Sequence, residues 1–218
     1  MDSETSPRKI GAALRDLARV NRFLFGLRAS VRSVAPYLAR GARSLLDVAA
    51  GGGDVAAAIA SEARRLGRPL RVAVLDRNPA MLSVARRADE SFFPVAGDAG
   101  SLPFGDRAFD VVHGSLFLHH LEPGGAPPVL RELFRVARLA LVLNDLRRHR
   151  VAHAAIVALS RIAFRSELVR IDGPLSVLRA YTPDEARDLV FRAGLPEPRI
   201  ARTLGFRMTI VVERPGAL

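Results

Sequence analysis

The stretch that most constrains this chain runs from Ser44 to Gly53. A short apolar run, Ser44-Leu45-Leu46-Asp47-Val48-Ala49, suits a buried parallel strand. It passes at once into Ala50-Gly51-Gly52-Gly53. Asp54 then stands where it can cap a helix that carries Val55, Ile59 and Leu66 and ends at Gly67. A strand, a glycine turn and a helix follow one another without a spare residue. The glycines let the backbone turn tightly and approach a ligand, and the helix start adds free N–H groups.

The alternation continues along the chain. Arg71 to Asp76 is the second strand, and Asn78-Pro79 starts a helix with Asn78 as cap and Pro79 at the first position. Phe92 to Ala96 and Phe109 to His113 are the next strands, a helix spans about Pro128 to Ala137, and Leu139 to Leu143 is the fifth strand. Val151 to Phe164 is an apolar helix, and Thr182-Pro183-Asp184-Glu185 is a capping-box start with Gly194 as its stop. Arg199 to Thr203 and Met208 to Val212 form an antiparallel pair around Gly205. At the front, Ser6-Pro7 opens a helix through Ile10, Leu14, Leu17 and Phe25 that Gly26 can end. A second helix follows from about Ala29 to Arg40, closed by Gly41. Strands alternating with helices imply an α/β doubly wound sheet of seven strands, mostly parallel with a C-terminal antiparallel hairpin. Ligands in such sheets bind outside the carboxyl ends of the strands.

Composition narrows the function. The 218 residues carry a net charge of +11, which raises nucleic-acid binding. Lys9 is the only lysine, however, and the arginines are scattered with few aromatics between them. That pattern reads as the codon bias of a GC-rich genome, so nucleic acid is not an expected partner. Cysteine is absent, which excludes disulfides and thiolate metal sites. Val151 to Phe164 is too short for a membrane span and is broken by His153 and Arg161. Met1 to Lys9 lacks the apolar core of a signal peptide, so a cytoplasmic location without integral membrane association is expected.

Polar residues gather at the strand ends. Asp76 can accept hydrogen bonds from both hydroxyls of a ribose, or simply cap a helix. Asp98, in Gly97-Asp98-Ala99, can accept from an adenine amine, or merely start a turn. The glycine turn does not continue as the G-x-G-x-x-G of nicotinamide-nucleotide sites, and Asp76 lies farther on than their spacing requires.

Together, LLDVAAGGGD, VLDRNPAML, GDAGSLPF and FDVVHGSLFLHHL resemble the class I S-adenosylmethionine-dependent methyltransferases. The resemblance covers about Ser44 to Leu143 and is strongest to the small-molecule branch that includes the ubiquinone/menaquinone-biosynthesis enzymes. It implies a Rossmann-like fold and S-adenosylmethionine as cofactor. Asp47, Ala49 and the turn from Gly51 to Gly53 would line the methionine and ribose end, and Asp76 would hold the ribose. Arg77 would flank the adenine, Asp98 and Ala99 would bind its edge, and backbone at Gly114 and Ser115 would meet the methionine. Ala49 departs from the family, which usually has glycine there. The expected organisation is a single domain, 1–218, with N-terminal helices (1–41), a cofactor-binding core (42–144), a cap insertion (145–181) and a closing helix and hairpin (182–218).

His119 and His120 follow the fourth strand. Methyl transfer needs aligned reactants, and a hydroxyl acceptor must also lose a proton, which suits histidine near neutral pH. Either can be the base, with His119 preferred, or both can be structural. Asp145 and Arg147 after the fifth strand can contact the acceptor or pair to hold a loop. Arg22 in the N-terminal helices can close the other side. His149 and His153 have the spacing of a metal pair, but no third ligand is evident, so no metal is expected. An apolar cap implies an apolar acceptor, and NDLRRHR with DGPLSVLRAYTPDE resembles methyltransferases found beside type III polyketide synthases. The expectation is O-methylation of a phenolic or polyketide-type small molecule in secondary metabolism, by a monomer or homodimer. C-methylation of a quinol-type ring, nucleic-acid methylation and non-catalytic cofactor binding are the alternatives.

Overall fold

The structure, a computed structural model, describes residues 25–163 and 167–216. In chain order its elements are α1 (Gly26–Ala39), β1 (Ser44–Val48), α2 (Asp54–Arg65), β2 (Arg71–Asp76), α3 (Pro79–Ala88), β3 (Phe93–Ala96) and β4 (Phe109–Ser115). A 3-10 turn (Leu118–His120) follows, then α4 (Ala126–Val136), β5 (Ala137–Leu146), α5 (Arg150–Ala163), α6 (Glu167–Arg179), α7 (Pro183–Arg192), β6 (Arg199–Thr203) and β7 (Arg207–Glu213). The helix proposed after Ser6-Pro7, and Arg22 with it, lie outside the described residues.

The seven strands run in the order β3-β2-β1-β4-β5-β7-β6. The first five are parallel and β7 is antiparallel to both β5 and β6. The chain winds outward from β1 through β2 to β3, then returns across β1 to start β4. That reversal opens a crevice at the carboxyl ends of β1 and β4, where Asp47 lies beside His113 and Val48 beside Gly114.

Side chains alternate between two apolar layers, as the period of two in a strand requires. Leu45, Val74, Val111 and Val142 face α1, α2 and α3, which contribute Val34, Tyr37, Ile59 and Leu82. Leu46, Leu75, Val112 and Leu143 face α4 and α7, which contribute Leu130, Leu133 and Leu189. Burying each such leucine or valine contributes about 1.5–3 kcal/mol, so both layers are needed to hold the sheet.

Several boundaries differ from the expectation. Gly26 is the first residue of α1, and it is glycine because a Cβ there would sit 2.7 Å from the Arg207 guanidinium carbon. Asp54 is the first residue of α2, after Gly53 at φ 75, so it meets the helix dipole without capping it. β5 runs three residues past the apolar stretch, because β7 pairs with it as far as Leu146. α4 begins at Ala126 and takes Pro127 and Pro128 into its first turn, where their missing N–H groups cost nothing. The stretch from Ile171 to Ser176 belongs to α6, where Gly173 lets α6 come close to Ile156 of α5. Asn78 and Thr182 cap α3 and α7 as their sequences require, Thr182 with the full capping box to Glu185.

Candidate active site at the carboxyl edge of the sheet

The glycine turn after β1 is held by main-chain contacts. Ala50 N donates to Leu75 O at 3.1 Å, and Gly53 N to Ala50 O at 2.9 Å. Ala49, Gly51 and Gly53 all have positive φ, at 53°, 53° and 75°. At Ala49 this is the left-handed region that L side chains disfavour. The two glycines serve different ends. A Cβ on Gly53 would lie 2.9 Å from Ala85 Cβ, so this glycine lets α2 pack on α3. A Cβ on Gly51 would meet nothing within 4 Å, so the backbone there faces open space.

Asp76, at the tip of β2, ties the turn to the next strand. Its Oδ2 accepts from Gly51 N at 3.0 Å and its Oδ1 from Asn78 N at 2.9 Å. Each oxygen keeps a second lone pair for a hydroxyl. Asp98 and Arg77, which the sequence assigns separately to an adenine, meet each other instead. Arg77 Nη2 lies 2.5 Å from Asp98 Oδ2, and Asp98 Oδ1 accepts from Gly100 N at 2.8 Å. The Gly100 N–H and Arg77 hold this exposed carboxyl below its ordinary range. Ala99 is buried against the α4 layer. A Cβ on Gly114 would lie 3.1 Å from Leu143 Cδ2, so Leu143 would have to give by a few tenths of an ångström. The neighbouring Ser115 Oγ is buried and has no hydrogen-bond partner among the described residues.

Beyond β4, the 3-10 turn presents both histidines. Their rings lie 4.1 Å apart, His119 buried and His120 exposed. His119 Nδ1 is 2.6 Å from Asp145 Oδ1, and His119 N donates to Asp145 Oδ2 at 3.1 Å. The sequence groups Asp145 with Arg147 as acceptor contacts. In the structure Asp145 is buried, and its carboxylate is taken up by His119 and by Leu146 N. Burial pushes its pKa up, but the charge and hydrogen bond of His119 and the two backbone N–H groups outweigh this and lower it. Arg147 does not pair with Asp145; its guanidinium sits 5.9 Å from the Phe206 ring and its N–H donates to Phe206 O. His149 precedes α5, accepts from Val151 N and stacks on Phe206, so it does not share a helical face with His153.

Four residues here carry no sequence signal. Arg207 opens β7 in a charged position that reads as solvated, yet it is fully buried. Desolvation pushes its pKa down to about 10, opposed by Asp145 and Asp54. Ser30 of α1, His113 of β4 and Asn144 of β5 are likewise fully buried, in a hydrogen-bonded row.

Comparison with known proteins agrees with this geometry. Residues 45–139 match the family described as methyltransferase domain. No curated protein sequence matches the chain. Among solved structures, an S-adenosylmethionine-dependent methyltransferase from Aquifex aeolicus is 17% identical with a TM-score of 0.59, over 89% of this chain and 96% of that one. Magnesium protoporphyrin IX methyltransferase from Synechocystis, with bound S-adenosylhomocysteine, is 15% identical with a TM-score of 0.61, over 88% and 84%. An O-methyltransferase family 2 protein from Planctomyces limnophilus, in complex with apigenin, is 21% identical with a TM-score of 0.59, over 79% and 50%. This chain thus spans only about half the length of some of its structural neighbours. At these identities the likeness establishes the fold. Residues 45–139 thus resemble a methyltransferase domain, and the solved structures that share the fold include S-adenosylmethionine-dependent methyltransferases, so S-adenosylmethionine is the cofactor to test against the site. The residues present fit that cofactor: open space above Gly51, a carboxylate at the tip of β2 and an unsatisfied buried hydroxyl on Ser115.

Proposed function

We propose that the protein methylates a hydroxyl of a lipophilic phenolic or polyketide-type small molecule, with His119 as general base. The observation that carries this reading is the buried pair of His119 and Asp145 at the ends of β4 and β5. A carboxylate can only accept, so Nδ1 of His119 bears its hydrogen and the lone pair of the neutral ring lies on Nε2. A ring so oriented can take a phenol proton as the oxygen is alkylated.

S-Adenosylmethionine supplies an electrophilic methyl group on a sulfonium. Asp47, Ala49, Gly51 and Gly53 would hold its amino-acid and ribose portions. Asp76 would take the ribose hydroxyls, and Ser115 the methionine portion. Asp98, Ala99 and Arg77 would border the adenine, with the Arg77–Asp98 pair as the rim. α6 packs against the histidine turn and so walls the acceptor side. Arg147 and Arg22 are the remaining candidates for acceptor contact.

The test is a screen of phenols and quinols with methyl-labelled cofactor, followed by product analysis. O-Methylated phenols, with turnover abolished in His119→Asn, support the reading. A methyl group on ring carbon, which the same base could promote on a quinol, contradicts it.

A further inference from the structure

His113 is a histidine placed where a valine would pack. It follows Val111 and Val112 in the centre of the sheet and is 0% exposed. A buried imidazole is costly unless both ring nitrogens are bonded. Here both are. Nδ1 lies 2.7 Å from Asp47 Oδ1, and Nε2 lies 3.0 Å from Ser30 Oγ. Asn144 Nδ2 then donates to Ser30 Oγ and to Gly26 O, each at 2.8 Å.

The partners assign the protons. The Gly26 carbonyl only accepts, which identifies the Asn144 nitrogen. The Asp47 carboxylate only accepts, so Nδ1 of His113 carries a hydrogen. In the neutral ring Nε2 is then the acceptor, and the Ser30 hydroxyl donates to it. The row thus runs in one direction, from Asn144 on β5 through Ser30 on α1 and His113 on β4 to Asp47 on β1. Its terminus is the Asp47 carboxylate, near the carboxyl end of β1, almost fully buried beneath the glycine turn and two residues before Ala49. A carboxylate with one oxygen held this way cannot rotate freely, so its other oxygen keeps a fixed direction.

We propose that His113 is a positioning residue for the cofactor, fixing the Asp47 carboxylate toward the ammonium group of the amino-acid tail. The inference rests on the assignment of Asp47 to that tail. His113 itself touches no ligand. Recognition of the tail therefore depends on a buried ring anchored to α1 through Ser30.

The test compares two probes that differ only in the tail. S-Adenosylhomocysteine has it; 5′-methylthioadenosine keeps the adenosine and sulfur without it. Calorimetric affinities are measured for the native chain, His113→Val, His113→Asn and Asp47→Asn. Loss of an oriented charge contact predicts that His113→Val weakens S-adenosylhomocysteine about tenfold and 5′-methylthioadenosine less than about twofold. His113→Asn returns an amide N–H near the Nδ1 position and restores most of the loss. Equal weakening of both probes by His113→Val, or no weakening, overturns the inference if Asp47→Asn is selective for the tail. An Asp47→Asn variant that is not selective overturns the Asp47 assignment itself. Should His113→Val fail to fold, Ser30→Ala frees the ring on its other side and carries the same comparison. A tail-selective loss supports positioning, and an unselective one contradicts it.

Discussion

His119 Nδ1 lies 2.6 Å from Asp145 Oδ1, and both side chains are almost wholly shielded from solvent. The short contact orients the ring with its free lone pair away from β5. General-base catalysis is typically worth about 10²–10⁴ in rate. His119→Asn is therefore expected to lower single-turnover methyl transfer by about that factor, with cofactor affinity within about twofold of native. Equal loss of cofactor binding would place the histidine in the cofactor site instead.

Asp145 makes an acid-stability prediction. Its folded-state pKa is lowered, so the unfolded chain binds the proton more tightly. The stability it contributes is present above the ordinary carboxylate pKa of about 4 and is lost as pH falls through the lower folded value. Denaturant titrations of native protein and Asp145→Asn should differ most near neutral pH and converge below about pH 4. A difference that persists in strong acid would mean that Asp145 acts through packing and not through charge.

Ala49 holds a left-handed backbone at φ 53° in a turn that otherwise uses glycine at such angles. Ala49→Gly removes that strain at the cost of a more flexible unfolded chain. The net expectation is a gain of about 0.5–1 kcal/mol in unfolding free energy. A destabilised variant would show that the Ala49 methyl contributes packing beyond its strain.

Gly51 and Gly53 should separate binding from folding. Gly53→Ala brings a Cβ to 2.9 Å from Ala85 Cβ at positive φ. It is expected to cost about 2–3 kcal/mol of stability. Gly51→Ala meets no protein atom within 4 Å, so its stability cost is backbone strain alone, about 1 kcal/mol. Its main effect should be on S-adenosylhomocysteine affinity, since the methyl occupies the open face. Thermal melts with and without ligand distinguish the two.

Most of the fold is legible in the sequence because its signals are local. The glycine turn after β1, the Asn78-Pro79 start of α3 and the Thr182 capping box need only neighbouring residues, and all three stand. Gly26 misleads because the reason for a glycine there lies far off in sequence, in the Arg207 side chain that a Cβ would meet. The site divides the same way. Asp76 and the glycines follow from their place at strand ends. The Asp145–His119 contact spans 26 residues and depends on how β5 lies beside β4. His113, Ser30 and Asn144 are farther apart still, and each alone resembles an ordinary strand or helix residue. Only the register of β1 with β4 puts His113 beside Asp47.

In the proposed function, Asp76 and the turn it fastens hold S-adenosylmethionine at the carboxyl edge of the sheet. Calorimetric titration with S-adenosylmethionine and S-adenosylhomocysteine, on the native chain and on Asp76→Ala, tests it most directly. Binding at about micromolar Kd is expected, weakened by about tenfold or more in the variant. Absence of binding to both ligands, or full affinity in Asp76→Ala, would contradict it.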